Sequence, residues 1–413
     1  LDDILHSICQ EMVHAFDARN TGIATLNKAK DRLKVVAFYS EDPEESDVCG
    51  LEFPLEGNDA SLFVIKTGEP IVVPDAQSNP ITRSLHEVMV KRGTTCLLLV
   101  PLMARGEVTG TIGIPSNSGE VFSHDDVRLA QTIAGQLASV ISNAHLHQKV
   151  LTARDVAEKE LEIGRRIQTG FFPDELPQIP GWHVCAAFQS ARQVAGDFFD
   201  TFTIAGGKKQ AVILADVCDK GVGAALFMVL FRSMIRSNLL NGFRAQKNYS
   251  PQEVEEGLLS AIAQTNEYIA VNHAKDNMFA TVFCAVIDQD SDELCYMNCG
   301  HDAPAIIRKG MLSERLLKTG PAIGMFADIT LKTATLKLGL GDALFAFTDG
   351  VTDAQDIQGK SFGEERTLSV FSANTPINQR IDILLASLAS HTEDEKQYDD
   401  ITCIGIERSG TAD

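Results

Sequence analysis

The sequence predicts a mixed α/β (α+β) chain, organised as two domains joined by a long helix. Its 413 residues are too many for one typical hydrophobic core, so two domains are expected. Residues 1–148 contain short strand-like runs between two helical patterns. In residues 181–408 strand-like runs alternate with longer helical patterns at 223–240, 251–271 and 377–391, which predicts sheets covered by helices. Between the halves a helical pattern continues to about residue 170. We expect a first domain at 1–148, a helical linker with a Pro-rich end at 149–180, and a second domain at 181–408.

The composition is that of a globular protein with a strong acidic bias. The chain is 44% hydrophobic and 22% charged, and its formal net charge is −20. Such a chain repels nucleic acids and anionic membranes, so we expect neither as a partner. No apolar run approaches the roughly 20 residues that span a bilayer. Nine cysteines without a C-x-x-C pair predict reduced, mostly buried thiols in a cytoplasmic protein.

The first domain is predicted from an amphipathic helix, several strand-like runs and a hairpin. The segment 4–16 carries apolar residues on one helical stripe. In "CLLLVPLMARGEVTGTIGIPS" the turn "ARGE" separates two apolar strands, and Ser123 with Asp126 forms a capping-box pattern before the next helix. This order resembles a GAF domain, a sensory module with helices against a central antiparallel sheet. The resemblance implies a small-molecule or protein signal, whose identity the sequence leaves open.

The helical pattern continues beyond the first domain. Its apolar stripe consists of Ile133, Leu137, Val140, Ala144, Leu151, Leu161 and Ile167. Three prolines, Pro173, Pro177 and Pro180, then end the helix. A long helix between domains often pairs with a second copy, so we expect a homodimer joined partly through residues 124–170. The alternative is a helix packed on its own domains. Because the chain begins with Leu1, we also expect it to be part of a longer protein.

Aspartates recur at the ends of apolar, strand-like runs in the second domain. They are Asp197, Asp216, Asp349 and the adjacent pair Asp399 and Asp400. A carboxylate at such a position is costly to desolvate unless it is paired or bound to a metal. Oxygen ligands without neighbouring His or Cys favour Mg²⁺ or Mn²⁺ over zinc. Any one of these aspartates could be a cap or turn residue, but their recurrence in the same context favours a metal site.

The stretch "VILADVCDKGVGAALF" has the strand–glycine–helix order of a nucleotide-binding turn. It departs from that motif because Asp216 and Asp219 stand between the strand and the two glycines. A metal ion beside the strand end explains the carboxylates, and the glycines allow a tight backbone turn before the helix. That helix is apolar on most faces, so we expect it to be buried under the sheet.

Five motifs in the second domain occur in a characteristic order. "RQVAGDFFD", "LADVCDKGVGAALFM", "NCGHDAP", "FTDGVTDA" and "YDDIT" resemble a metal-dependent PPM/PP2C-type phosphatase domain over about residues 160–408. The resemblance is to the bacterial branch of stage II sporulation E and stress-response regulators, which activate anti-anti-sigma factors. It implies an α-β-β-α sandwich of two antiparallel sheets, with two metal ions, Mn²⁺ or Mg²⁺, at one edge.

The resemblance also implies a role for each carboxylate. The metal-site residues that it implies are Asp197, Asp216, the carbonyl of Val217, Asp349, Asp399 and Asp400. Among them, Asp216 bridges both ions, and Asp400 occupies a position that usually supports the ligands. The acids Asp197, Asp216, Asp349 and Asp399 form the catalytic set. Two divalent ions can activate a water and bind the phosphoryl oxygens, so no covalent nucleophile is needed.

The expected function is a metal-dependent serine/threonine protein phosphatase that an N-terminal sensory domain regulates. Its partner would be a phosphorylated anti-anti-sigma-type protein. One alternative is a catalytically weak, ligand-sensing scaffold that binds a signalling partner, and another is a phosphatase acting on small molecules or cyclic nucleotides. His301 could protonate the leaving group or could be a structural histidine. Arg192 could bind phosphate or form an ordinary surface salt bridge.

Overall fold

The computed structural model describes residues 1–42, 48–244, 248–372, 375–393 and 397–409. The chain divides into two compact units, Leu1–Val156 and Ala157–Asp413, which we call unit 1 and unit 2. Both contain antiparallel sheets covered by helices. The predicted mixed α/β class is therefore confirmed.

Unit 1 contains an antiparallel sheet whose six described strands have the order β3-β2-β1-β6-β5-β4. The strands are β1 (Asn20–Leu26), β2 (Arg32–Ser40), β3 (Glu52–Pro54), β4 (Ile71–Val73), β5 (Cys96–Ala104) and β6 (Glu107–Ser116). The helices are α1 (Asp2–Ala15), α2 (Asp59–Thr67), α3 (His86–Arg92) and α4 (His124–Thr169), with a 3₁₀ turn at Pro80–Leu85. The predicted hairpin is confirmed, since β5 pairs with β6 around Arg105 and Gly106, which both have positive φ.

Helix α4 begins at the predicted capping box and ends at Thr169, close to the expected residue 170. The Asp126 side chain accepts a hydrogen bond from the Ser123 N–H, and the Ser123 hydroxyl accepts one from the Asp126 N–H. Leu137 is buried with α1 and the sheet in the core of unit 1, whereas Val140 is exposed. The predicted stripe thus combines residues buried in the core with residues exposed on the helix surface.

Unit 2 is a sandwich of two five-stranded antiparallel sheets in the described part of the chain. The first has the order β14-β11-β10-β9-β8, with β8 (Phe198–Ile204), β9 (Lys209–Val217), β10 (Ala280–Asp288), β11 (Glu293–Cys299) and β14 (Ala334–Lys337). The second has the order β13-β12-β15-β16-β7, with β7 (Trp182–Gln189), β12 (Ala305–Arg308), β13 (Met311–Arg315), β15 (Ala343–Phe347) and β16 (Ile401–Arg408). One hydrophobic cluster fills the space between the sheets.

Helices cover both outer faces of this sandwich. The helices of unit 2, besides the end of α4, are α5 (Val222–Gly242), α6 (Pro251–Asn272), α7 (Asp349–Thr352), α8 (Glu364–Val370) and α9 (Ile377–Thr392), with 3₁₀ turns at Ala205–Gly207 and Ala274–Asp276. Helices α5 and α6 pack on the first sheet, and α8 and α9 pack on the second. The layers therefore follow the order α-β-β-α, as the sequence resemblance implies.

Helix α5 is less buried than its sequence predicts. One face, including Met228 and Phe231, lies in the core, but Leu226 on another face is 66% exposed. By length and hydropathy alone, α5 could also cross a bilayer, which corrects the expectation that no apolar run approaches that length. Arg232 and Arg236 on the same helix pair with the buried Asp200. Its packed face and buried ion pairs are features of a core helix.

Candidate active site

The predicted carboxylates lie at adjoining edges of the two sheets in unit 2. Asp197 directly precedes β8, and Asp216 lies near the end of β9, the antiparallel neighbour of β8. Asp349 follows β15, and Asp399 with Asp400 precedes β16, the antiparallel neighbour of β15. Since antiparallel neighbours run in opposite directions, the end of one strand lies beside the start of the next.

Two threonine hydroxyls hold Asp197 from the opposite sheet. The Asp197 carboxylate accepts hydrogen bonds from Thr348 Oγ1 at 2.7 Å and from Thr402 Oγ1 at 2.6 Å. Asp197 is 3% exposed, and burial, followed by the nearby charge of Asp216, raises its pKa well above the usual range. The threonine bonds act in the opposite direction because they stabilise the ionised carboxylate. These contacts connect the first sheet to the second at the site.

Asp216 and Asp349 occupy a strongly electronegative environment. Burial raises the pKa of Asp216 to about 7, and the charge of Asp349 contributes to the same increase. Burial likewise raises the pKa of Asp349 to about 6, with Asp399 as the next contribution. Like charges at short range disfavour each other's ionised forms. These carboxylates therefore form one electrostatic cluster in which a cation would be strongly favoured.

Lys220 supplies a positive charge at one side of this cluster. Its ammonium lies 2.7 Å from Asp399 Oδ2, donates to the Tyr398 carbonyl at 3.0 Å, and lies 4.1 Å from the centre of the Tyr398 ring. The other Asp399 oxygen accepts a hydrogen bond from the Asp400 N–H at 2.9 Å. Both oxygens of Asp399 therefore have partners within the chain.

Asp400 faces the loop that carries Asp197. Its Oδ1 accepts a hydrogen bond from the Ala191 N–H at 2.8 Å, and its Oδ2 accepts one from the Gly196 N–H at 2.9 Å. Burial raises the pKa of Asp400, while these backbone bonds lower it. Its carboxylate thus holds loop backbone in place.

Close backbone packing at the site requires glycine at two positions. A side chain at Gly196 would place its Cβ 2.9 Å from the Val217 carbonyl oxygen, which is one of the sequence-predicted metal-site groups. A Cβ at Gly350 would fall far inside van der Waals distance of the Asp400 carbonyl oxygen. Glycine allows these approaches because it has no Cβ.

The donor set has the chemistry of a site for hard divalent cations. It consists of carboxylate and carbonyl oxygens, and its acids raise one another's pKa values. Across the residues that the structure describes, no three His, Cys, Asp or Glu side chains are close enough together to hold a metal ion without rearrangement. Asp197 is directed at two threonines and Asp399 at Lys220. The residue types fit such an ion, and binding it requires these side chains to turn.

His301 and Arg192 differ sharply in their surroundings. His301 is 2% exposed, its Nδ1 lies 2.9 Å from the Thr281 hydroxyl, and burial lowers its pKa to about 4. A histidine with this pKa is neutral at pH 7, which favours the structural alternative over a protonated acid. Arg192 is exposed on the loop between Ala191 and Gly196.

Sequence reasoning did not identify Thr348, Thr402 or Lys220. Each lies inside a motif that it did identify: Thr348 in "FTDGVTDA", Thr402 in "YDDIT" and Lys220 in "LADVCDKGVGAALFM". A polar residue inside an otherwise apolar, buried strand is the signal that could have indicated Thr402, because buried hydroxyls need partners.

Comparisons with known proteins agree with this architecture. Residues 206–409 match the family model of stage II sporulation protein E (SpoIIE), and residues 1–142 match the GAF domain model. Unit 2 resembles the SiaA-PP2C domain of Pseudomonas aeruginosa in fold, with a TM-score of 0.51 and 20% identity over 62% of this chain and 98% of that one. The fold of unit 2 is thus that of a PP2C domain, with an acidic site at adjoining edges of its two sheets.

Two curated relatives extend over much of the chain. Protein IcfG of Synechocystis sp. is 37% identical over 292 residues, which cover 65% of this chain and 46% of that protein. The phosphoserine phosphatase RsbU of Bacillus subtilis is 24% identical over 270 residues, which cover 63% of this chain and 74% of RsbU. The chain therefore spans about half the length of IcfG. Along the chain, a region that matches the GAF domain model is followed by a region that matches the SpoIIE family model, which confirms the resemblance stated from its motifs.

Proposed function

We propose that the chain is a metal-dependent protein phosphatase that hydrolyses phosphoserine or phosphothreonine on a partner protein. The observation that carries this proposal is the cluster of Asp197, Asp216, Asp349 and Asp399, whose members lie at adjoining sheet edges. Burial and mutual repulsion raise the pKa values of Asp197, Asp216 and Asp349. Acids gathered in this way are a common sign of a functional site.

Two ions, Mn²⁺ or Mg²⁺, would be held by the predicted ligands. These are Asp197, Asp216, the Val217 carbonyl, Asp349 and Asp399, with Asp400 supporting them through the loop backbone. When bound, such ions lower the pKa of water and neutralise charge on a phosphoryl group. Without metal, the threonines at Asp197 and Lys220 at Asp399 are partners of specific carboxylate oxygens, and these side chains would turn from those partners toward the ions.

Arg192 is the residue that we assign to phosphate binding. It is exposed on the loop that Asp400 holds, only five residues before Asp197. A guanidinium can bind two phosphate oxygens at once, which would orient a phosphorylated side chain toward the acidic cluster. His301 takes no part in proton transfer in this scheme, since its imidazole is buried and neutral.

The proposed substrate is a phosphorylated anti-anti-sigma-type protein in the cytoplasm. The motif resemblance supports this choice, as does the similarity to RsbU, whose name describes a phosphoserine phosphatase. The net charge of −20 argues against nucleic acid as a partner. Six of the nine cysteines are buried, which suits a reducing compartment.

A small molecule is the proposed signal for the GAF domain. Unit 1 contains a cavity of about 570 Å³, a size that suits a small ligand. Its lining is largely apolar, with Leu33, Phe38 and Leu99, and includes polar groups from Asn20 and Thr111. These features favour a small ligand over a protein signal.

We further propose a homodimer through α4, since Val150 and Val156 are exposed on that helix.

Hydrolysis of p-nitrophenyl phosphate with Mn²⁺ tests the proposed chemistry. We expect EDTA to abolish the activity and Mn²⁺ or Mg²⁺ to restore it. Asp216→Asn should lower the rate by about 10²- to 10³-fold or more, the loss typical of removing one key electrostatic group. Asp290→Asn, at an exposed turn outside the site, is the matched control and should retain activity.

A second assay separates the substrate classes. A phosphorylated anti-anti-sigma-type protein should be dephosphorylated in preference to phosphotyrosine peptides. Full activity in EDTA would contradict the metal mechanism, and a preference for phosphotyrosine would contradict the substrate. If the chain binds such a partner but hydrolyses neither substrate, the scaffold alternative is correct.

A further inference from the structure

The last turn of α4 contacts the backbone of the loop that carries Asp197. Gln168 Nε2 donates a hydrogen bond to the Ala195 carbonyl at 2.7 Å, and Gln168 Oε1 accepts one from the Ala195 N–H at 2.9 Å. The side-chain amide thus pairs with both backbone groups of one residue. Gln168 is 6% exposed, although most residues of this part of α4 are exposed.

The same loop is fixed from the opposite side as well. The Asp400 carboxylate binds the N–H groups of Ala191 and Gly196. The loop precedes β8 and forms no sheet ladder before Phe198, so its buried backbone groups depend on side chains for their hydrogen bonds. Gln168 forms hydrogen bonds with the N–H and C=O groups of Ala195, and Asp400 accepts one from the N–H of Gly196. Together they define the path of the chain up to Asp197.

The loss of the Gln168 amide would leave two buried polar groups without their partners. A buried N–H or C=O that lacks a hydrogen bond is unfavourable, so the loop would shift until water or another group replaced the amide. Asp197 lies two residues beyond Ala195 and contacts Thr348 and Thr402 across the sandwich. A shift at Ala195 therefore displaces a carboxylate that must be accurately placed.

We propose that Gln168 is a positioning residue through which the last turn of α4 fixes Asp197 for metal binding. This inference rests on the proposed function, because it concerns the same metal site. The N-terminal part of α4 packs in the core of unit 1 through Ala134 and Leu137, and its last turn holds Ala195. Unwinding of that turn would remove both hydrogen bonds to Ala195 and so allow the loop that carries Asp197 to shift.

Two substitutions at Gln168 test this role. Gln168→Leu removes both hydrogen bonds at similar volume, and Gln168→Glu keeps an oxygen that can accept from the Ala195 N–H. Gln148→Leu, at an exposed position of the same helix, is the matched control. The measurements are amide hydrogen exchange at Ala195 and Gly196 in metal-free protein, and Mn²⁺ affinity by titration calorimetry, with thermal unfolding recorded for each variant.

We expect Gln168→Leu to lose exchange protection at both amides and to bind Mn²⁺ about 10-fold or more weakly, as for residues that support metal ligands. The exchange protection and Mn²⁺ affinity of Gln168→Glu should lie between those of Gln168→Leu and wild type. The control Gln148→Leu should match wild type in both. If Gln168→Leu does not fold, amide exchange and Mn²⁺ affinity of Gln168→Glu test the role of Gln168 instead.

Unchanged exchange and unchanged Mn²⁺ affinity at a wild-type unfolding temperature would overturn the role of Gln168. A uniform loss of protection throughout unit 2 would also overturn it, because the residue would then only stabilise the fold. Failure of the proposed function has a different signature. In that case wild type hydrolyses no phosphoester, although Asp216→Asn and wild type are equally folded.

Discussion

The cavity of unit 1 and the acidic site of unit 2 differ in the forces that a ligand would meet there. The cavity is lined mainly by apolar side chains such as Leu33 and Leu99, so shape and apolar area would select its ligand. The acidic site gathers carboxylates whose repulsion raises the pKa values of Asp216 and Asp349. Electrostatic strain of this kind is relieved only by a cation or by protons. One chain thus contains a site that would select its ligand by shape and another that would select its ligand by charge.

The largest expected difference between the units is their response to Mn²⁺. A ligand that binds only the folded state stabilises it by about 4 kcal/mol at 1,000 times its dissociation constant. We expect calorimetry to show this increase for the unfolding of unit 2 and no change for unit 1. Asp349→Asn should reduce the stabilisation of unit 2 by Mn²⁺. A metal-induced shift in unit 1, or none in either unit, would contradict the assignment of the site.

A smaller difference should appear in the pH dependence, through His301. Burial lowers its pKa from 6.5 to about 4 in the folded state. Between these values the unfolded chain binds a proton at His301 that the folded chain does not, so the contribution of His301 to the stability of unit 2 falls as the pH falls. The raised pKa values of Asp216 and Asp349 act in the opposite direction. His301 alone accounts for about 3 kcal/mol over that range.

The variant His301→Asn isolates this contribution. We expect it to be less stable than wild type at pH 7 but to lose less stability between pH 6.5 and 4, as measured by urea unfolding. His183→Asn, at an exposed position, is the control and should keep the wild-type slope. Equal slopes for His301→Asn and wild type would contradict the lowered pKa, because they would mean that the imidazole titrates alike in the folded and unfolded chains.

The smallest energetic effect concerns the exposed part of α4. Val150 is 64% exposed, so Val150→Glu should change the stability of the monomer by no more than about 0.5 kcal/mol. If α4 pairs with a second copy, the same change buries a charge in the interface and should yield monomers in light scattering. The neighbouring Gln148→Glu adds the same charge without removing an apolar group. Dimers that persist in Val150→Glu would exclude pairing at this position.

Leu137 is unsuitable for such a test, although it belongs to the apolar stripe that the sequence predicts for this helix. It packs with α1 and the sheet inside unit 1, so a charge there would destabilise the unit itself. Helical periodicity identifies apolar positions but does not distinguish a core from an interface, because both bury the same residue types. Only the exposed fraction, which depends on the folded structure, separates Leu137 from Val150.

The parts of the site that the sequence predicted are those with a local signature. An apolar run followed by an acid located Asp216 and Asp349, and helical periodicity over 223–240, 251–271 and 377–391 identified α5, α6 and α9 to within two residues. The partners were not predictable in the same way. Thr402 meets Asp197 across two sheets, which requires knowledge of how the sheets pack. The cavity of unit 1 has no sequence signature, because it is a space between side chains.

The glycine after Asp349, Gly350, is a position of the site at which no side chain can be accommodated. The Asp400 carbonyl occupies the volume that any side chain at Gly350 would need. An exposed position can accept side chains of many sizes, whereas any side chain at Gly350 would collide with the Asp400 backbone. The acidic site is therefore defined by a position that must lack a side chain as well as by charged atoms. A redesign that transferred only the carboxylates to another scaffold would lack this glycine and the close backbone contact that it allows.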